Sequence, residues 1–466
     1  MRKRSRVLAA VMAAVMAASV VMAGCSSGES APKETKAAET KAADNQAPKE
    51  EAKAAEEHAE PVTLKFVSWQ SNHEKGNQAV ADAYHELHPN VTVEFEYVGD
   101  MNSNEYLTKT DIMLMGGEEM DIVMTPSFQA YSVRAASGSY MALDPYFEAS
   151  GSSAEDEFNV IIRQDGQTYG IPGEMKYTMV LLNKDLLDEA GLEVPSDGWT
   201  WDEYREYAKA LTKGSGAETT YGSYFHSWGS VNLTGIQSAK KGSAYFNDDG
   251  TLTFDNQAFA DFLQYRYDLE NVDKASTPLS DVKALNMNYR DQFFTGKIAM
   301  LPGMGTFMLS DIGNEKYQHD FVTAFAPTPT WGADDPHYYN ASGNIFSVAK
   351  TTKHPEEAFD FLKFWCKEGV AIKGMFVSNE KGADKMESIN AIVGDFQELL
   401  DMDSLTAVMQ DEKWVDSYEE FIPTYQSEVD SILTEETDKF LLGSQSLEDT
   451  VQAIMERGNE VIEENK

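Results

Sequence analysis

Val62-Thr63-Leu64-Lys65-Phe66-Val67-Ser68, Val91-Thr92-Val93-Glu94-Phe95-Glu96-Tyr97-Val98 and Asp121-Ile122-Val123-Met124 are the segments on which the fold of this chain turns. The first two alternate apolar and polar residues, as a strand with one buried face does. The third is a short buried run that stops at Thr125-Pro126. Between them lie two helical patterns, from Lys75 to Leu87, ended by His88-Pro89-Asn90, and from Ser103 to Met115, closed by Gly116-Gly117. Strand, helix, strand, helix, strand at this spacing predicts parallel α/β units.

The same grammar resumes further on. Gln167 to Pro172 leads into a buried strand from Thr178 to Leu182, and Asn183 caps a helix from Lys184 to Ala190 that Gly191 stops. Thr200 and Glu203 form a capping box for a helix ending at Leu211. Helices are expected over Phe259 to Leu269 and Asp281 to Thr295. Strands are expected at Lys297 to Leu301, Phe321 to Ala326 and Asn344 to Ala349. A helix then begins at Pro355, in the preferred first-turn position. From about Ala391 onward the chain reads as helical, ending in an amphipathic segment from Ser446 to Glu464.

The N-terminus fixes the compartment. Arg2, Lys3, Arg4 and Arg6 precede an apolar stretch from Val7 to Val21, and Met22-Ala23-Gly24-Cys25 reads as a lipobox, where bacterial lipoproteins are cleaved and lipidated. The stretch is too short for a permanent span, so residues 1–24 are expected to be removed and Cys25 to carry lipid. Residues 25–60 hold no aromatic residue, Ile, Leu or Val, and read as a disordered tether. The body is thus expected to be lipid-anchored on the extracellular face of the bacterial cell membrane, contacting the bilayer through that lipid alone.

Charge narrows the partners. The chain carries 38 Lys+Arg against 77 Asp+Glu, a net charge of −39, and losing the signal's four basic residues takes it to near −43. Nucleic acid and anionic lipid surfaces are excluded as partners. With 42% hydrophobic residues and roughly 400 residues after the tether, two domains are expected, because a single core stops growing at ~250–300 residues. Cys366 is left alone in an apolar helical pattern and reads as a buried structural thiol.

Catalytic motifs are absent. There is no Gly-x-Ser-x-Gly elbow, phosphate loop, Gly-x-Gly-x-x-Gly or Cys-x-x-Cys, so no catalytic residue, cofactor or metal is assigned. His85-Glu86-Leu87-His88 lacks one residue of a zinc-protease motif, and Asn247-Asp248-Asp249-Gly250 lacks the downstream glutamate of a calcium loop and reads as a hairpin turn. Aromatic rings in polar or Gly-rich surroundings carry more information. Trp69 follows the first strand, Phe128 and Tyr131 follow the third, and Tyr177 sits in a turn between Gly173 and Thr178. Trp228, Phe307, Trp331, Tyr338 and Tyr339 lie in similar contexts. Ligands of α/β sheets bind beyond the carboxyl ends of strands, where several of these stand. Such rings suit the apolar faces of sugars, and Gln70, Asn72, Glu74, Gln129 and Asn340 offer hydrogen bonds to hydroxyls.

Four stretches resemble the sugar-type extracellular solute-binding proteins of ABC importers (family 1), the family of the maltose-binding protein. They are Thr168 to Pro172 with Leu181 to Leu186 and Ala190 to Leu192; Trp199 to Tyr204; Phe294 to Met300; and His354 to Leu362. The resemblance implies a two-lobe periplasmic-binding-protein fold of type II, each lobe a mostly parallel sheet flanked by helices, with the ligand cleft between them. On that template the first lobe takes 61–172 and 338–385 and the second 173–337 and 386–466. Trp69 would stand on the first-lobe wall, and the loop from Gly303 through Gly305 to Phe307 on the second. Many relatives carry Trp in that loop, where this chain has Thr306-Phe307.

The function so implied is that of a monomeric, non-enzymatic receptor. It would capture a carbohydrate, an oligosaccharide in the first instance, and deliver it to ABC permease subunits. A surface glycoside hydrolase and a receptor for a non-sugar solute are the competing expectations.

Overall fold

The computed structural model describes residues 60–99 and 102–465. The expected signal peptide, Cys25 and the tether up to residue 59 lie outside the described residues. Ten strands form one sheet: β1 (Val62–Ser68), β2 (Val91–Tyr97), β3 (Ile122–Thr125), β4 (Ile171–Asn183), β5 (Tyr221–Ser223), β6 (Ile298–Gly305), β7 (Thr323–Ala326), β8 (His337–Val348), β9 (Val377–Ser378) and β10 (Trp414–Ser417). Their spatial order is β2-β1-β3-β8-β4-β6-β5, with β7 and β9 pairing to β4 and β10 to β8.

The opening segments fold as their patterns require. β1 pairs in parallel with β2 from Val62 opposite Val91 to Ser68 opposite Tyr97, and in parallel with β3 at Phe66 and Val67. The connecting helices span Glu74–Leu87 and Ser103–Met115. Inward residues of β1 and β3 meet the helix pattern of the Pro355 segment, and Phe66 contacts the rings of Phe346, Phe361 and Trp365. Cys366 closes this core, and burial pushes its thiol upward, away from the thiolate a nucleophile needs.

β4 and β8 carry the architecture. They are 13 and 12 residues long and antiparallel, from Ala341 opposite Tyr177 to Phe346 opposite Ile171. The far end of β8 pairs with β3, while the far half of β4 pairs with β6 and β7. Each strand therefore belongs to both halves of the sheet. A separate core packs Val180, Leu182, Trp201, Tyr204, Phe262 and Met300 beneath the second half. The helix Trp201–Leu211 over that core has the expected capping box, with Thr200 Oγ1 accepting from Glu203 N and the Glu203 carboxylate accepting from Thr200 N.

Several elements depart from expectation. In the second half the pairing is mixed rather than mostly parallel: β4 meets β6 and β7 antiparallel, while β5 joins β6 and β10 joins β8 in parallel. The segment expected as a turn between Gly173 and Thr178 is strand, because Pro172 and Gly173 sit within β4 and Gly173 faces the Cys366 sulfur, which leaves no space for a Cβ. The helix expected from Asp281 to Thr295 is two, Leu279–Ala284 and Tyr289–Phe294, broken where Asn286 adopts φ 47° and Asn288 caps the second. The region beyond Ala391 includes β10, whose first three residues are only partly buried and whose strand character comes from its partner β8.

Candidate functional site

A cleft of about 650 Å³ opens where β4, β6 and β8 meet. Its floor is backbone-rich: Tyr177 and Thr178 of β4, Gly303 to Gly305 of β6, and Asn340 to Ser342 of β8. Tyr177 N donates to Thr306 Oγ1 at 3.2 Å and Asn340 N to Thr178 Oγ1 at 3.2 Å, which fixes the strands' relative position. Gly305 is needed for close approach, because a Cβ there would lie 2.0 Å from the Tyr177 carbonyl oxygen.

One wall is the N-terminus of the helix Phe128–Ala136, where Ser127 caps Ala130 N and Phe128 and Gln129 face the cleft. The opposite wall contains Trp228, whose ring is 46% exposed although it meets His226 and Tyr289 edge-on at 4.6 and 5.3 Å. Tyr289 in turn meets Phe307, and the Arg290 guanidinium lies over both rings, held by Asp311 at 2.6 Å. Burial, with the nearby Arg266 charge, lowers His226 to about 4, so this ring stays neutral beside Trp228. The Tyr177 hydroxyl is buried without a hydrogen-bond partner.

A polar stripe completes that wall. Gln426, Asp430 and Thr434 occupy successive turns of the helix Gln426–Leu441 and all line the cleft. Gln426 Nε2 donates to Glu419 Oε2 at 2.8 Å, and the Tyr245 hydroxyl donates to Asp430 Oδ1 at 2.7 Å. Burial pushes the Glu419 carboxyl up to about 7; the Gln426 amide opposes this and the Asp430 charge adds to it. Lys176 also reaches the cleft, and burial draws its ammonium below the usual lysine range, with the Lys373 and Arg290 charges assisting and Glu174 opposing.

Glu419 gives a pH prediction with a definite sign. Its folded-state value lies above the 4.5 of an exposed glutamate, so between the two the folded state holds the proton that the unfolded state releases. Stability contributed by this proton is full below about 4.5 and lost as pH rises toward 7, by at most about 3 kcal/mol. Glu419→Gln is expected to remove that part of the slope. Urea unfolding of both proteins at acidic and mildly alkaline pH measures it, and parallel pH profiles would show that Glu419 does not titrate there.

Of the residues anticipated from sequence, Phe128, Gln129, Tyr177, Trp228, Gly305, Phe307 and Asn340 line this cleft. The others stand elsewhere. Trp69 is half-buried against the first core and Gln70 is buried, accepting from Lys373 Nζ at 2.9 Å. Asn72 and Glu74 line a smaller cavity of about 420 Å³ beside Lys373. Tyr131 is fully buried, its hydroxyl donating to the Ile162 carbonyl. Trp331 donates through Nε1 to the Gly235 carbonyl at 3.0 Å. Tyr339 is buried and stacked face to face on Trp414 at 3.7 Å. Sequence reading missed Lys176, Gln237, Tyr245, Glu419, Gln426, Asp430 and Thr434. The i, i+4, i+8 spacing of Gln426, Asp430 and Thr434 was a legible sign of a polar helix face.

The family described as bacterial extracellular solute-binding protein matches residues 47–371. The chain belongs to that family. It is 27% identical to an arabinooligosaccharide-binding protein of Halalkalibacterium halodurans over 219 residues, 45% of this chain and 46% of that protein. It is 23% identical to an arabinooligosaccharide-binding protein of Bacillus subtilis over 318 residues, 65% and 68% of the two chains. The match to the first of these relatives thus spans less than half of that protein's length. Among solved structures, a sugar transporter of Rhizobium etli in an open conformation superposes with a TM-score of 0.69 at 24% identity, over 84% of this chain and 98% of that one. That likeness establishes the type II two-lobe α/β fold for this solute-binding protein.

Proposed function

We propose that this solute-binding protein captures a carbohydrate, an oligosaccharide in the first instance, between its two lobes and passes it to the permease of an ABC importer. The observation that carries this reading is the cleft wall. A half-exposed Trp228 is held edge-on by other rings, beside a row of amide, carboxylate and hydroxyl groups on the same wall. A flat apolar ring beside convergent hydrogen-bond groups is complementary to a sugar, which has an apolar face and a rim of hydroxyls. The arabinooligosaccharide-binding relatives support the same class.

Lobe closure supplies the mechanism. Of the proposed boundaries between lobes 61–172 with 338–385 and 173–337 with 386–466, the first falls within β4, the second at the start of β8 and the third at the start of the helix Lys385–Val393, so these three crossings would form the hinge. A sugar touching Phe128 and Gln129 on one side and Trp228 and Asp430 on the other favours the closed state by its extra contacts there. No bond is made or broken. The lipid on Cys25 would keep the closed receptor at the extracellular face of the membrane.

A charged solute is the second reading, favoured by the Glu419 and Asp430 carboxylates in the wall. A thermal-shift panel of mono- and oligosaccharides, amines and peptides, followed by calorimetry, separates the two. A saturable rise in melting temperature with neutral oligosaccharides is the expected result. A rise confined to charged solutes would replace it. Conversion of the added sugar into new products would point to a glycoside hydrolase.

A further inference from the structure

A second cavity, of about 670 Å³, lies on the other side of β8 and shares no lining residue with the cleft. It is enclosed by the segment from Val194 to Asp197, by Phe325 and Pro327, by His337 and Tyr339 of β8, and by the stretch from Asp401 to Lys413. Its size falls within the range of small-molecule sites.

His337 is the informative group. Its ring is 2% exposed, and Nδ1 faces Asp411, whose same oxygen accepts the Tyr339 hydroxyl at 2.8 Å and whose other oxygen accepts Lys413 N at 2.8 Å. A carboxylate only accepts, so Nδ1 carries an N–H, and in the tautomer with that proton alone the ring's lone pair sits on Nε2. That Nε2 is buried and has no hydrogen-bond partner. Asp197 Oδ1 lies 3.7 Å from it, beyond hydrogen-bond reach, and is held instead by Lys413 at 2.7 Å. A buried acceptor without a donor is costly, and its position on the cavity wall gives it one obvious use.

The rest of the lining states which donor fits. Asp197, Asp401, Asp403, Asp411 and Glu412 face the cavity against the single cation of Lys413. The remaining surface is largely apolar, from Pro195, Phe325, Pro327 and Val408. We propose that this cavity is a second ligand site, for a small organic ammonium ion with an apolar body, whose N–H donates to His337 Nε2 while the carboxylates balance its charge. Tyr339 forms part of its wall and stacks on Trp414, which meets Tyr177 of the cleft edge-on at 5.1 Å. The two sites thus lie back to back across an aromatic layer, and Trp414 is a reporter for the second one.

Calorimetric titration of the whole chain with benzylammonium and cyclohexylammonium tests this, with benzyl alcohol as the uncharged isostere and tryptophan fluorescence as a parallel readout. Saturable binding of an ammonium, at least ten-fold tighter than benzyl alcohol, is expected. Ala407→Trp, at an exposed helix position on the cavity lining, is expected to abolish it with the melting temperature unchanged. His337→Phe is expected to weaken it ten-fold or more, and Ala407→Trp carries the test if that variant does not fold. Trp228→Ala in the cleft should leave it intact. Absence of binding, equal binding of the alcohol, or binding that survives Ala407→Trp would each overturn the proposal.

Discussion

Lys373→Met is expected to lower the free energy of unfolding by about 3–5 kcal/mol, the cost of leaving a buried charge without its counter-ion. Lys373 is 8% exposed and Glu174 is fully buried. The Lys373 ammonium pairs with one Glu174 oxygen and also donates to Gln70 Oε1, while the other Glu174 oxygen accepts from Asn344 Nδ2 at 2.6 Å. Burial draws the lysine downward and Glu174 opposes it, so the pair is held by mutual need rather than by solvation. Four separate segments meet here: the exit of β1 at Gln70, β4 at Glu174, β8 at Asn344 and the short helix Val370–Lys373. Removing the cation leaves the Glu174 carboxylate with only the Asn344 amide, in the strand that spans both halves of the sheet.

The double variant Lys373→Met with Glu174→Gln separates charge from packing. It is expected to recover most of the loss, because a neutral amide can keep the Asn344 contact without an unpaired charge. Denaturant titration of the wild type, both single variants and the double variant closes the cycle. A Lys373→Met loss below ~1 kcal/mol would mean that the pair is not desolvated in solution. A double variant as weak as the single would assign the loss to the ammonium's other contacts, with Gln70 and over the Trp365 ring.

These residues also show what a sequence can and cannot disclose. The β1, β2 and β3 pattern is local: each strand shows its buried face by alternation, and each intervening helix ends at a Pro or Gly signal. The capping box at Thr200 and Glu203 is equally local. β10 is different, because Trp414-Val415-Asp416-Ser417 becomes strand only through β8, some seventy residues earlier in the chain. Tyr131 and Tyr339 looked like site residues because their neighbours are polar. Tyr131 is buried with its hydroxyl on a distant carbonyl, and Tyr339 is buried with its hydroxyl on Asp411. Nothing within a few positions of either residue distinguishes them from Trp228, whose ring faces the cleft. Half of the cleft wall comes from Tyr245, Glu419 and the Gln426 helix, which topology brings opposite β6. Only the periodic Gln426, Asp430 and Thr434 announced a face, and the face's direction depends on tertiary packing.

For that ring the expected result is a large loss of binding with little loss of stability. Trp228 stands at the entry to the turn Gly229–Leu233 with nearly half its surface in water, so little burial is forfeited by Trp228→Ala in the free protein. Bound sugar would remove that surface from water. Covering ~100 Å² of ring at ~25 cal/mol/Å² contributes about 2.5 kcal/mol, or roughly 70-fold in Kd. Trp228→Phe keeps a flat ring with less area and is expected to lose about ten-fold. The edge contacts with His226 and Tyr289 matter because they hold the ring before ligand arrives, so no side-chain entropy is lost on binding. Calorimetry with the tightest oligosaccharide from the panel reads the effect, and thermal unfolding without ligand reads stability. Kd within two-fold of wild type would place the sugar away from this wall, toward Lys176 and Gln129. A matching fall in melting temperature would instead make Trp228 a packing residue, and the cleft would lose the ring on which the sugar reading rests.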